Sequence, residues 1–185
     1  MQAAGSGGSA APPPADAERR AIKQAAQLVA DRFVQDGQTL GLGTGVAVNE
    51  LIEVLAARVD RGQLRRIRVV PGSDATASEC AFHGLPLEAL DAAGPVSVMV
   101  EVADELALGP DGSLAFIIGR QHAPHQQPQL PRARRLAAAA AACVVVAEAP
   151  SILVPALGGA LPVVIDAEDW EDTGAMGVGP PLLQW

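Results

Sequence analysis

Gly41-Leu42-Gly43-Thr44-Gly45 follows a short apolar strand, residues 39–42, and opens a helix with Val48, Leu51, Ile52, Leu55 and Val59 on one face. A turn of this kind gathers backbone N–H groups and the positive end of a helix dipole at one point, which suits an anionic ligand. Glycines at 41, 43 and 45 let the main chain come close without a Cβ in the way. Thr44 adds a hydroxyl. The plain alternative is a tight strand-to-helix connection that binds nothing. A P-loop is excluded, because Gly45 is followed by Val46-Ala47 instead of Lys and Ser or Thr. A dinucleotide fingerprint is disfavoured as well. It needs a third glycine at position 46, which is Val, and an acid after the second strand, where Val69-Val70-Pro71 offers none.

Outward from the turn, strands and helices alternate. Residues 18–35 carry Ile22, Ala26, Val29 and Phe33 at helical spacing, and Asp36-Gly37 ends that helix. Residues 67–70 read as a second strand. Asp74 suits the N-cap of a short helix through Phe82, ended by Gly84. Residues 96–101 form a third strand and 114–118 a fourth, the latter leaving the turn Gly109-Pro110-Asp111-Gly112. A polar loop over 119–131 leads to an Arg- and Ala-rich helix over 131–142, then strands over 143–147 and 161–165. Apolar strand interiors between helices indicate an α/β fold: an open, mainly parallel, Rossmann-like sheet with helices on both faces. Residues 1–17 (Gly, Ala, Ser, Pro) are expected to be a disordered tail instead of a secretory signal or transit peptide, and 166–185, with five acids, a second tail. The folded domain is then 18–165.

Of the 185 residues, 3% are aromatic and the net charge is -8, which disfavours nucleic acid. No uncharged apolar run approaches a bilayer's span, so a soluble protein is expected and no membrane partner. Cys80 and Cys143 lack metal-like spacing and read as core thiols. His83, beside Phe82, reads as a packing or capping residue. His122 and His125 lie in the polar loop and read as exposed, a weak metal signal. No metal and no cofactor are expected.

The third strand ends in Glu101-Val102-Ala103-Asp104-Glu105. Carboxylates at the carboxyl end of a parallel strand suit acid–base work on a polyol, although a solvated acidic turn is the bland alternative. Taken in order, Gly41–Gly45, Ser73-Asp74-Ala75, Glu101–Glu105 and Leu161-Pro162-Val163 resemble type A ribose-5-phosphate isomerase across residues 18–165. Residues 114–120 (Leu-Ala-Phe-Ile-Ile-Gly-Arg) are similar to the chloroplast-type plant members. The resemblance implies interconversion of ribose 5-phosphate and ribulose 5-phosphate through an enediolate, without metal. A glutamate moves the proton between C1 and C2, and an aspartate pair and a lysine assist ring opening. It also implies substrate-binding roles for Gly43, Thr44, Gly45, Ser73, Asp74 and Arg120, and catalytic roles for Glu101, Asp104 and Glu105. A plastid stroma or cytoplasm is the implied compartment, a small sugar phosphate the implied partner, with a homo- or hetero-oligomer left open.

The departures can be counted. Val46 and Ala47 replace two hydroxyl residues of the family turn, Glu101 replaces an aspartate, and Val102 replaces a glycine. Lys23 is the only lysine, so the family's catalytic lysine, expected near Ile118, has no counterpart. No Asp or Glu lies between Asp111 and Glu148, so its base glutamate has none either. The family's small second domain is expected to be absent after Pro162-Val163. Two readings follow: an isomerase-like sugar-phosphate protein, or a catalytically inactive relative acting as a partner subunit or sugar-phosphate sensor.

Overall fold

In a computed structural model of the chain, residues 15–119 and 130–158 are described. Helix α1 (Ala15–Phe33) leads through the Asp36-Gly37 turn, where Gly37 has φ 79°, into strand β1 (Thr39–Leu42). Helix α2 (Val46–Asp60), strand β2 (Arg68–Pro71), helix α3 (Asp74–Phe82) and strand β3 (Val98–Val102) follow. Strands β4 (Glu105–Leu108) and β5 (Leu114–Ile117) come next, then helix α4 (Leu130–Ala139) and strand β6 (Cys143–Val146).

Four strands form one parallel sheet in the order β2-β1-β3-β6. Its interior strands are apolar on both sides, because helices cover both faces. On one face Leu40, Leu42, Val69, Val98 and Val100 join Ala30 of α1, Val48, Ile52 and Leu55 of α2, and Cys80 of α3. On the other, Val70 and Met99 pack with Leu136 and Ala140 around α4. Gly41, the first glycine of the turn motif, lies within β1 and faces α4. A Cβ there would meet Leu136 side-chain atoms at 3.0–3.2 Å, so this glycine admits a helix.

Three features differ from the sequence expectation. Helix α1 begins at Ala15, inside the stretch read as a tail, and Asp16 and Glu18 in its first turn complement the helix dipole. The helix after β2 is capped by Ser73, not Asp74. Ser73 has extended backbone angles, and its hydroxyl accepts from Thr76 N at 3.1 Å. Finally, β4 and β5 form a separate antiparallel hairpin that the sequence reading did not separate from the parallel sheet. The connection over Gly109–Ser113, closed by Gly109 N to Ser113 O at 2.8 Å and turned by Gly112 at φ 82°, is too short for a parallel crossover.

Cys80 is fully buried and Cys143 half-buried, both as free thiols. His83 pairs with Glu79 at 3.3 Å and meets the Phe82 ring edge-on, as a helix-end packing residue. Among the described residues no helix is long and apolar enough to cross a membrane. The expected strand over 161–165, the 166–185 tail, residues 1–14 of the first tail and most of the polar loop, with Arg120, His122 and His125, lie outside the described residues.

Candidate functional site

The carboxyl ends of β1, β3 and β6 lie side by side, since Leu42 is in register with Val100, and Glu101 with Val145. Gly43 N donates to Val100 O at 2.8 Å, which ties the start of the glycine turn to β3. Glu101 is not in a solvated turn. It is a residue of β3, 2% exposed, with its carboxylate directly beneath Gly43. A Cβ at position 43 would overlap that carboxylate, so the glycine is required by the fit of the chain to itself. Glu101 Oε1 accepts from Thr44 N at 3.1 Å and from Val102 N at 3.0 Å.

Burial pushes the Glu101 carboxyl up to about 7, and the nearby Asp104 charge adds to the rise. The two backbone N–H donors oppose it, because they favour the ionised form. The group therefore changes charge near neutral pH. The half-buried Cys143, two residues before the Glu101 partner Val145 on β6, is pushed up to about 11 by burial and then by the Glu101 charge.

A hydroxyl cluster holds the other side of the turn. Thr44 Oγ1 donates to Ser73 Oγ at 2.8 Å, Ser73 Oγ and Thr76 Oγ1 are 2.9 Å apart, and Thr76 Oγ1 donates to Gly43 O at 2.6 Å. Ser73 and Thr76 are almost fully buried. The start of α3 is thereby locked to the glycine turn, which carries its one hydroxyl inward. Asp74 is exposed and pairs with Arg132 of α4 at 3.1 Å. At the opposite edge, Glu148, two residues beyond β6, accepts from Ala47 N at 2.6 Å and so reaches the first turn of α2.

The structure thus brings Gly43, Thr44, Ser73 and Glu101 into direct contact, while Gly45, next in the turn, lies against Val102 and Glu148. Asp74 lies at the rim of this cluster. Asp104 and Glu105 are half-buried just past β3, where Asp104 N donates to Ile117 O at 2.8 Å and Glu105 Oε2 accepts from Gly158 N at 3.4 Å. Sequence reading did not single out Thr76, Glu148 or Arg132. For Glu148 the signal was available, because an acid two residues past a buried parallel strand sits where such sheets bind ligands. Thr76 carried none, since nothing in a helical threonine announces that its hydroxyl turns toward a glycine loop. Among the described residues, no group of three or more His, Cys, Asp or Glu side chains could hold a metal ion.

Comparison with known proteins places the chain. The family description of ribose 5-phosphate isomerase A (phosphoriboisomerase A) matches residues 68–176. The chain belongs to that family. A ribose-5-phosphate isomerase A from Caulobacter vibrioides is 38% identical over 144 residues, covering 78% of this chain and 55% of that protein. One from Gloeobacter violaceus is 35% identical over 154 residues, covering 82% and 62%. Among solved structures, a D-ribose-5-phosphate isomerase in complex with phospho-erythronic acid superposes with a TM-score of 0.63 at 27% identity, over 74% of this chain and 55% of that one. The Methanocaldococcus jannaschii ribose 5-phosphate isomerase A gives 0.59 at 25% identity, over 76% and 55%. The chain therefore spans a little over half the length of the relatives it matches, and the parallel α/β domain is the part they share.

Proposed function

We propose that the carboxyl end of the parallel sheet is a sugar-phosphate site of the ribose-5-phosphate isomerase type. The observation that carries this reading is the bond from Thr44 N to Glu101, which joins the glycine turn to the acidic strand end across 57 residues of sequence. The phosphorylated four-carbon acid bound by the similar solved isomerase supports a sugar phosphate as the ligand class. Glu101 lies sealed beneath Gly43, so its role is to hold the Thr44 amide and set the charge of the turn. Asp104 and Glu105, half-buried just past β3, are the carboxylates this reading assigns to the ligand. In the aldose-to-ketose direction a carboxylate takes the proton from C2 of the opened sugar. The resulting acid returns the proton to C1 while the O2 hydroxyl proton passes to O1, leaving a ketone at C2 and a hydroxyl at C1.

The test is to add ribose 5-phosphate and follow ribulose 5-phosphate, alongside calorimetric binding. The site reading expects binding, with turnover that falls about 10²-fold or more in Asp104→Asn. Absence of binding at millimolar ribose 5-phosphate would overturn it. A second reading, binding without turnover by a partner subunit or sensor, is favoured by one observation. The only lysine, Lys23, sits on the exposed side of α1, so no lysine is available to the strand ends. Binding with no turnover would select this second reading.

A further inference from the structure

Helix α2 has 15 residues, its N-cap is Gly45, which has no side chain to offer, and its first turn contains no acid. The amide groups at such a start attract an anion. Here the anion is the chain's own. Glu148 arrives from the end of β6, 101 residues later in sequence, and Oε1 lies 2.6 Å from Ala47 N. Gly45 makes the approach possible. It holds φ 150°, and a Cβ at this position would stand 2.9 Å from Glu148 Oε1 and 2.6 Å from Val102 Cγ2. The third glycine of the turn thus admits a carboxylate of the same molecule to the place where a phosphate would sit.

We propose that Glu148 is an internal competitor that a ligand's phosphate must displace from the first turn of α2, so that this residue sets how tightly the site takes phosphate. The inference rests on the reading that a sugar phosphate binds at this turn. Two physical effects act in the same direction. A tethered carboxylate faces the Ala47 amide at a high effective concentration, so a free anion competes at a disadvantage. If Glu148 stays close after displacement, its charge repels the incoming phosphate. A neutral sugar hydroxyl meets neither obstacle, since the second carboxylate oxygen can accept from it. Glu148 therefore weakens the phosphate half of a ligand and leaves the sugar half untouched.

Calorimetric titration of the whole chain with inorganic phosphate, ribose 5-phosphate and ribose tests this on wild type, Glu148→Gln and Glu148→Ala. Gln keeps the size and an oxygen acceptor for Ala47 N but removes the charge, so it reports the competition even if the alanine variant fails to fold. The expected result is a gain of about fivefold or more in inorganic phosphate affinity in both variants, with ribose unchanged. Phosphate affinity that is unchanged or weaker in Glu148→Gln overturns the proposal, as does absence of phosphate binding in every protein. Ribose 5-phosphate bound equally by all three would leave the sugar-phosphate site standing and remove Glu148 from it. A gain for inorganic phosphate, with ribose 5-phosphate bound by none, would support the Glu148 contact and overturn the sugar-phosphate reading.

Discussion

At Gly43 a single missing Cβ decides whether the turn and the third strand can meet. The Glu101 carboxylate occupies the space where that carbon would stand, and it is too deeply buried to swing into water. Gly43→Ala is expected to destabilise the fold by about 2 kcal/mol, through overlap and loss of the Thr44 N bond. In a Glu101→Ala background the same substitution meets an empty space, so its cost is expected to drop by about 1 kcal/mol or more. Denaturant unfolding of the two single variants and the double variant gives this coupling directly. Equal costs in both backgrounds would mean that the fit between Gly43 and Glu101 is not what the glycine serves. The three glycines of one short motif have three separate partners: Leu136 for Gly41, Glu101 for Gly43, and Glu148 with Val102 for Gly45. Sequence alone shows that the backbone must come close to something there. It does not show that each partner belongs to the same chain.

Between elements, the join that matters most runs from α3 to the glycine turn. Ser73 both caps α3, through Thr76 N, and accepts from Thr44 Oγ1. Loss of an N-cap alone costs about 1 kcal/mol, and the second bond raises the expectation for Ser73→Ala to about 2 kcal/mol. The unfolding midpoint of that variant in urea checks the figure. A cost below about 0.5 kcal/mol would mean that the cap is replaced by a neighbour. Periodicity located α1 and α2 to within a few residues, because each buries an apolar stripe. A capping signal and a terminating glycine located α3, and composition located α4. None of these signals marked β4, because Glu105 at its start resembled the end of an acidic turn. The hairpin exists because the five-residue connection from Gly109 to Ser113 forces antiparallel pairing.

For the molecule as a whole, the buried Glu101 makes stability depend on pH. Its carboxyl ionises at an ordinary value of 4.5 when unfolded and near 7 when folded, so the folded state holds the proton longer. Stability is full below about pH 4.5 and declines as pH rises toward 7, by roughly 3 kcal/mol in all. Cys80 and Cys143, both raised to about 11 by burial, add a decline of the same sign only above about pH 9. Urea unfolding at pH 5 and pH 8 should show the first loss in the wild type. Glu101→Gln should flatten it, because a neutral amide has no proton to lose. An equal loss in both proteins would assign the slope to other groups.

The sequence by itself determined the succession of strands and helices along the chain apart from β4, the parallel α/β architecture, and the two motifs whose spacing resembles ribose-5-phosphate isomerase. Those properties follow from hydrophobic period and turn chemistry, which are local. Only the tertiary structure decided what the motifs touch. Glu101 is sealed beneath Gly43 instead of standing in solvent, Ser73 and Thr76 hold Thr44, and Glu148 occupies the start of α2. These contacts join residues between 29 and 101 positions apart. They exist only because a parallel sheet brings the carboxyl ends of β1, β3 and β6, and the start of α3, to one edge.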